Sequence, residues 1–494
     1  MIRYILIATI LAAGLSGCKK MSYFQTNPNA PSSPISSSIL TGLEKNLFTY
    51  SAVSSTGSNE EAFFDMATVM QYNVGFDNHC AYSQSYQWVT TDMNEYLQIQ
   101  DAQAMIKAAS GNNGYTALGK LFMAIRFYYL TNKFGDVPCS QADQLTSGIG
   151  KPVYDPQKLV YQTILADLDT ANNLLSSTGG ATISGDFIYN GDLTKWRKFV
   201  NSFRLRVILS LSNKTGDADL KPMSLFADVM TNTNQYPLFT ANSDNAQQQT
   251  NTVTPTPFYN NPAYVYYGLS QAFADSLILF KDPRIVHWAT ITSAALAAGK
   301  SVYDYSAYAG LPSDASTASN TTNAVLASIP NSNYFYQAGY ETNLFQGYYE
   351  VSFLIAEGIA RGWWTGGNAA AYYQQGITAS MSYYGISQDT INRYLSGPYI
   401  PYSPARGLQQ ILLQRWLAGL YNSGFEPYFT QRRTGYPAMA VSGPGMPNHQ
   451  EALRWQYPVN EYTLNAANVQ AAVGTQFQQA GDVITAKMWV LIPE

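Results

Sequence analysis

Charged side chains are scarce in this chain. Asp, Glu, Lys and Arg make up 12% of its 494 residues, and the formal net charge is −4. A protein that binds nucleic acid needs a basic stripe or patch, and a disordered chain usually combines high net charge with few aromatic residues. The 46% of apolar residues is enough to build a large core. The composition therefore predicts a folded protein that binds no nucleic acid.

Cysteine and histidine are also scarce, with three residues of each. His79, His287 and His449 stand far apart and no HExxH or CxxC spacing is present, which argues against a zinc site. The Asp- and Asn-rich loops lack EF-hand spacing, so Ca²⁺ stays open without being predicted, and no other cofactor is indicated. Cys80 and Cys139 allow a disulfide or two buried thiols, and buried thiols are favoured.

Long apolar runs are absent after the first twenty residues, so no later segment reaches the length that indicates a membrane-spanning helix. At the start, Arg3 precedes an apolar run over residues 4–14, and small residues lead to Cys18. This pattern is typical of a bacterial lipoprotein signal, with an ordinary secretory signal as the alternative. We predict a signal peptide over 1–17, a lipidated Cys18 beginning an anchor and tether over 18–36, and a single domain over 37–494.

Tyrosine is abundant: the chain has 38 Tyr, with 22 Phe and 8 Trp. A tyrosine ring offers an apolar face and a polar tip at low entropic cost, which suits a recognition surface. Two aromatic clusters with neighbouring amide or carboxyl groups are the candidate ligand contacts: Asn78, Tyr82, Tyr86 and Trp88, and Tyr303, Asp304, Tyr305 and Tyr308. Core packing is an equal alternative for the early cluster, whereas polar surroundings favour exposure of the second.

Helical periodicity dominates the rest of the chain. Apolar spacing predicts helices over 115–131 and 406–422, and further helices that begin at Asp155-Pro156 and Asp192. Asp155 is the expected N-cap of the first of these two helices, with Pro156 as the first helical residue, and the second begins near Asp192. Together these segments predict a mainly α protein.

A predicted helical hairpin over 347–384 is close in length to one tetratricopeptide repeat. Its turn is Trp363-Trp364-Thr365-Gly366-Gly367, Asn368 caps its second helix, and its many small residues let the two helices approach closely. Polar stretches near 240–262 and 300–345 predict loop insertions, where binding residues are often found.

Glu357 lies in a predicted apolar helix. Arg361 follows it by four residues, so the two are expected to form a structural ion pair. A glycoside hydrolase would need two carboxyl groups facing each other across a sugar, which a sequence cannot show. No Gly-x-Ser-x-Gly elbow or phosphate loop is present, so no catalytic residue is predicted.

Short strings in a fixed order give the chain a family resemblance. They are Cys18, Asn27-Pro28-Asn29, Phe134-Gly135-Asp136-Val137-Pro138, Tyr154-Asp155-Pro156-Gln157, Gly191-Asp192 with Trp196 and Asn201-Ser202-Phe203-Arg204-Leu205-Arg206, Asp282-Pro283-Arg284, Ala356-Glu357 with Arg361-Gly362, Arg432-Arg433-Thr434-Gly435-Tyr436-Pro437, and Tyr457-Pro458 with Glu461. In this order the chain resembles the SusD/RagB outer-membrane lipoproteins of Bacteroidota.

The resemblance implies a helical body of about four tetratricopeptide-like helix pairs, with a loop-rich ligand-binding side. It implies a non-enzymatic lipoprotein of the outer membrane, exposed at the cell surface, that binds glycans and passes them to a SusC-like TonB-dependent transporter. Peptide binding in the same assembly is the first alternative; an envelope glycoside hydrolase and a purely architectural protein are the others. Lys19-Lys20 stand where surface-exported members usually carry acidic residues.

Overall fold

The computed structural model describes residues 35–48, 66–77, 84–86 and 92–494, which contain nineteen α-helices and four short strands. In chain order, helices α1–α19 are Ser36–Phe48, Met66–Val69, Glu95–Ala108, Asn113–Phe134, Gln157–Ser176, Leu193–Ser210, Pro222–Thr231, Gln271–Phe280, Ile285–Trp288, Ser293–Ala297, Thr317–Asn323, Asn333–Tyr336, Tyr348–Ala360, Ala369–Tyr383, Gln388–Leu395, Gly407–Ala418, Glu426–Thr434, Glu461–Leu464 and Ala466–Phe477. Strands β1–β4 are Asn73–Gly75, Ala246–Gln248, Tyr267–Leu269 and Asn343–Gln346. The prediction of a mainly α fold is confirmed.

Helices α3 to α6 form the first part of a tetratricopeptide-like scaffold, in which each helix packs on the next. Asn112 and Asp192 begin α4 and α6, because their side-chain oxygens accept hydrogen bonds from N–H groups of the first turn. The contact stripes are apolar, and Ile125, Val160 and Phe203 are fully buried. The helices predicted over 115–131 and from Asp192 are confirmed.

The start of α5 differs from the prediction. The helix begins at Gln157, and Pro156 occupies the capping position without a side-chain hydrogen bond. The Asp155 carboxylate instead accepts hydrogen bonds from the backbone N–H groups of Cys139 and Ser140, at 2.8 and 2.7 Å. Asp136 provides the side-chain acceptor at the helix start instead, since its Oδ1 accepts a hydrogen bond from the Gln157 N–H at 2.8 Å. A long-range contact thus replaces the expected local cap.

Helices α13 and α14 form the predicted hairpin, and α16 packs against both. Asn368 caps α14 by accepting a hydrogen bond from the Ala370 N–H at 2.9 Å. The two helices approach so closely that a Cβ atom added at Gly376 would lie 2.6 Å from the Phe353 ring. The small residues therefore have the packing role that their pattern predicted.

The scaffold encloses a network of buried charges around Glu357. Arg361 lies 2.9 Å from a Glu357 carboxylate oxygen, in the pairing expected from their spacing. Arg433 contacts both carboxylate oxygens, at 2.7 and 3.1 Å. Burial alone would raise the pKa of Glu357, but Arg433, Arg361 and Arg415 together lower it to about 2. Glu357 is therefore ionised and saturated by arginines.

Short antiparallel strand pairs organise the loop-rich regions. β1 pairs with β3, and β2 pairs with β4. The stretch 240–262 contains β2, and 300–345 contains α11 and α12, so neither predicted insertion is wholly irregular. In the described residues, no helix has the length and apolar character that crossing a bilayer requires.

Candidate functional site

The early aromatic cluster is described in part. Asn78, Tyr82 and Trp88 lie outside the described residues. Tyr86 is only 2% exposed, and its hydroxyl donates a hydrogen bond to the Val69 carbonyl at 2.8 Å. Its ring lies in the hydrophobic core and presents no face to a ligand. We therefore remove Tyr86 from the candidate ligand contacts, in line with the core-packing alternative.

The second cluster forms a turn that presents one tyrosine to solvent. Tyr303 is 77% exposed. Asp304 caps the short 3-10 helix Tyr305–Ala307, and its Oδ1 accepts hydrogen bonds from the Ser306 N–H at 2.9 Å and the Ser306 hydroxyl at 2.7 Å. Tyr308 is buried, and its hydroxyl donates to the Val302 carbonyl at 2.8 Å. Tyr308 and Asp304 hence support the turn, while Tyr303 projects from it.

A first cavity of about 750 Å³ lies on one side of Tyr303. His287 and Tyr340 stack face to face there, with ring centroids 4.4 Å apart and planes 6° apart. The Tyr340 hydroxyl donates a hydrogen bond to the His287 carbonyl at 2.9 Å, which fixes the stack. The cavity is lined by Pro283, Val286, His287, Ala289, Thr290, Ile291, Leu296, Lys300, Val302, Tyr303, Asn331, Asn333, Tyr340, Tyr384, Ile386, Ser387 and Thr390. Its wall combines rings with amide and hydroxyl groups.

A second cavity of about 570 Å³ also has Tyr303 in its lining. It is lined by Leu279, Phe280, Lys281, Pro283, Val286, Tyr303, Tyr305, Thr390, Arg393, Tyr394, Gly397 and Pro398. Pro283, Val286, Tyr303 and Thr390 line both cavities, so the two adjoin at these residues, and we call them together the Tyr303 groove.

A buried ion pair anchors the segment 283–287, which we call the floor of the Tyr303 groove because its residues Pro283 and Val286 line both cavities. Arg284 is fully buried and donates to both Asp282 carboxylate oxygens, at 3.0 and 2.6 Å. The same guanidinium donates to the Ser380 hydroxyl of α14 at 2.8 Å, which ties the floor to the helical scaffold. His287 follows directly in α9, whose position is thereby set. The scaffold therefore holds the groove in a defined shape.

A buried carboxylate organises the rings behind the first cavity. Glu341 accepts hydrogen bonds from the hydroxyls of Tyr334 and Tyr384, the latter at 3.1 Å, and lies 3.4 Å from His287 Nε2. Burial raises the pKa of Tyr340 to about 12, and burial with the nearby Asp282 charge raises that of Tyr305 to about 12. Both hydroxyls are neutral at physiological pH, and that of Tyr340 already donates to the His287 carbonyl.

The comparisons with known proteins agree with this architecture. The SusD-like family model, described as "Starch-binding associating with outer membrane", matches residues 28–458. The chain belongs to the SusD-like family. No protein in the curated set matches it.

Solved structures resemble this SusD-like chain over most of its length. Two SusD homologues from Bacteroides fragilis are 29% and 28% identical, with TM-scores of 0.83 and 0.85, and each match covers 93% of this chain and 100% of the homologue. A chitin-binding SusD homologue from Flavobacterium johnsoniae is 19% identical, with a TM-score of 0.75 and 93% and 99% of the two chains covered. That last likeness concerns the fold alone.

Several lining residues of this SusD-like groove carried no recognisable sequence signal. His287, Tyr340 and Tyr384 are separated by tens of residues, and only the fold brings their rings together. The string Asp282-Pro283-Arg284 is one of those that carry the family resemblance, and in the structure it anchors the groove floor. Tyr303 does have a sequence signal, because an aromatic ring in a polar segment favours exposure.

Proposed function

We propose that this chain binds a glycan in the Tyr303 groove and releases it unchanged. A sugar presents an apolar C–H face and a rim of hydroxyl groups, so it needs a flat ring beside amide and hydroxyl partners. The exposed Tyr303 ring lines both cavities, and Asn331, Asn333, Ser387 and Thr390 line the first, which supplies that combination. This arrangement is the single observation that carries the proposal. The starch-binding description of the family supports it.

The lining of the groove also favours binding without turnover. Among the described residues, neither cavity is lined by Asp or Glu. Hydrolysis of a glycosidic bond needs a pair of carboxyl groups about 5–10 Å apart on the two sides of the bond. The nearest buried carboxylates, Asp282 and Glu341, are occupied by Arg284 and by tyrosine hydroxyls. Their arrangement suits support of the floor and not proton transfer to a sugar.

The cellular setting belongs to the same proposal. Lipidation of Cys18 would hold the protein on the outer membrane, and family membership supports delivery of the bound glycan to a SusC-like TonB-dependent transporter. Asn78, Tyr82 and Trp88 remain proposed additional ligand contacts. Purification of the full chain from envelope membranes should recover a transporter with it, and recovery of the chain alone under mild detergent would count against this setting.

Isothermal titration of the purified chain against glycan and peptide panels tests the ligand class. Tyr303→Ala should weaken glycan binding roughly three- to tenfold, since one ring contact contributes about 0.5–1.5 kcal/mol. Tyr336→Ala is the matched control, because Tyr336 is 68% exposed and lines neither cavity. Binding of peptides alone, equal loss in both variants, or steady release of new reducing ends would each overturn the proposal.

A further inference from the structure

The Tyr303 groove differs in charge from the rest of the molecule. The whole chain has 32 acidic and 28 basic residues. Among the described residues that line the groove, the charged side chains are Lys281, Lys300 and Arg393, all basic. The chain is acidic overall, yet the charged side chains that line its candidate ligand site are all basic. Such a bias attracts anionic ligands.

One of the three cations is neutralised locally. Lys300 Nζ lies 3.6 Å from Asp304 Oδ2 and donates a hydrogen bond to the Ser306 hydroxyl at 2.7 Å. It therefore belongs to the turn that supports Tyr303. Behind the first cavity, the Glu341 carboxylate lies 3.4 Å from His287 Nε2. Among the described residues, the first cavity therefore has no lysine or arginine in its lining that lacks an acidic neighbour.

The second cavity keeps its positive charge. In the described part of the chain, neither Lys281 nor Arg393 has an acidic group within 4.0 Å. Asp389, one helical turn before Arg393, makes no ion pair with it, and Asp282 is fully buried and held by Arg284. The Arg393 Nη2 atom donates to the Thr390 hydroxyl at 2.9 Å, which orients the guanidinium and leaves its other N–H groups for a ligand.

The remaining walls of the second cavity strengthen an electrostatic contact. Leu279, Phe280, Pro283, Val286 and Pro398 are apolar, and they lower the local dielectric around a charge placed between Lys281 and Arg393. Arginine binds planar anions such as carboxylate through paired hydrogen bonds, and lysine adds a point charge. Tyr303 and Tyr305 line the same cavity and offer rings to the sugar that carries the anion.

We propose that the second cavity selects an acidic sugar, so that the ligand is an oligosaccharide with carboxylate or sulfate groups. This inference rests on the proposed glycan binding in the Tyr303 groove. The anion lies between Lys281 and Arg393, while a neutral part of the same oligosaccharide extends past Tyr303 into the first cavity.

Titration with three matched oligosaccharides tests the proposal: an oligogalacturonate, a sulfated oligosaccharide and a neutral chito-oligosaccharide of equal length. We expect at least one acidic probe to bind about tenfold or more tightly than the neutral one. Its advantage should shrink when ionic strength rises from about 0.01 M to about 0.15 M, as the Debye length falls from about 30 Å to about 8 Å. The two acidic probes distinguish carboxylate from sulfate.

Substitutions of the two basic residues test whether the preference for an acidic probe arises in the second cavity. Arg393→Gln and Lys281→Gln should each lower the affinity for the acidic probe far more than the affinity for the neutral one, and so remove most of the preference. Arg406→Gln is the matched control, because Arg406 is exposed and lines neither cavity. Equal binding of all probes, or an unaltered preference in Arg393→Gln, overturns the acidic-sugar inference while glycan binding stands. Failure of every glycan to bind the wild type overturns both.

Discussion

At the scale of single residues, burial decides which of the many tyrosines can act. Tyr303 and Tyr308 lie five positions apart, yet one is exposed and the other is hydrogen-bonded inside the turn. Tyr86 has the side chain that a ligand-binding surface would use, but its ring lies in the hydrophobic core. Aromatic content therefore predicts a recognition surface for the chain as a whole, and only three-dimensional packing assigns it to particular rings.

Glu44 is a residue whose charge opposes folding. It is fully buried, its Oε2 accepts a hydrogen bond from the Phe187 N–H at 2.8 Å, and burial together with the Asp186 charge raises its pKa to about 10. The folded state thus holds a proton that the unfolded state loses above its ordinary pKa of 4.5. The contribution of Glu44 to the stability of the folded state is fully present below pH 4.5 and declines as the pH rises toward 10.

Replacement of this carboxyl by a neutral amide should therefore stabilise the protein at neutral pH. Glu44→Gln is expected to raise the free energy of unfolding by about 1–3 kcal/mol at pH 8, and to change it little at pH 4, where Glu44 is largely protonated in both states. Denaturant titrations at the two pH values measure this difference. An equal effect at both would show that charge is not the cause.

At the scale of elements, the sequence predicts the start of a helix correctly where contacts within the first turn determine it. Asp192 and Asn368 cap the helices that their positions predicted. Asp155 does not, because backbone N–H groups of the preceding loop occupy its carboxylate. The groove floor was beyond sequence reasoning for the same reason: Arg284 reaches Ser380 across almost one hundred residues. Tertiary partners of this kind leave no periodic pattern.

The hairpin of α13 and α14 allows a test of close helix packing. A methyl group added at Gly376 would lie 2.6 Å from the Phe353 ring, whereas one added at Gly474 in α19 would meet nothing within 4 Å. Gly376→Ala should therefore destabilise the protein by about 1–3 kcal/mol through overpacking. Gly474→Ala should instead stabilise it by up to about 1 kcal/mol through helix propensity. Thermal unfolding compares the two, and stabilisation by both would contradict the packing argument.

At the scale of the whole molecule, buried charges connect the two halves of the helical scaffold. Arg206 of α6 binds Glu350 of α13 through two hydrogen bonds, at 2.8 and 2.7 Å. Arg415 of α16 contacts Glu350, Glu357 and Glu426, at 3.4, 3.5 and 2.9 Å. The groove floor is attached to α14 of this same scaffold. The groove floor is thus connected to the scaffold that contains these buried charges.

Removal of one arginine from this network should destabilise the scaffold, because the buried Glu357 carboxylate would keep its negative charge with fewer positive charges around it. Arg433→Gln is expected to cost about 3–5 kcal/mol of stability, and Arg361→Gln less, since Arg361 is more exposed and Arg433 still covers both oxygens. Glu357 titrates at about 2 when folded against an ordinary 4.5, so its stabilisation is present above 4.5 and is lost as the pH falls toward 2. In Arg433→Gln the pKa of Glu357 rises, and acid unfolding followed by circular dichroism should begin at higher pH than in the wild type. An unchanged acid transition would mean that Arg415 and Arg361 alone hold the carboxylate, and that the link between α13 and α17 is dispensable for the scaffold that carries the groove.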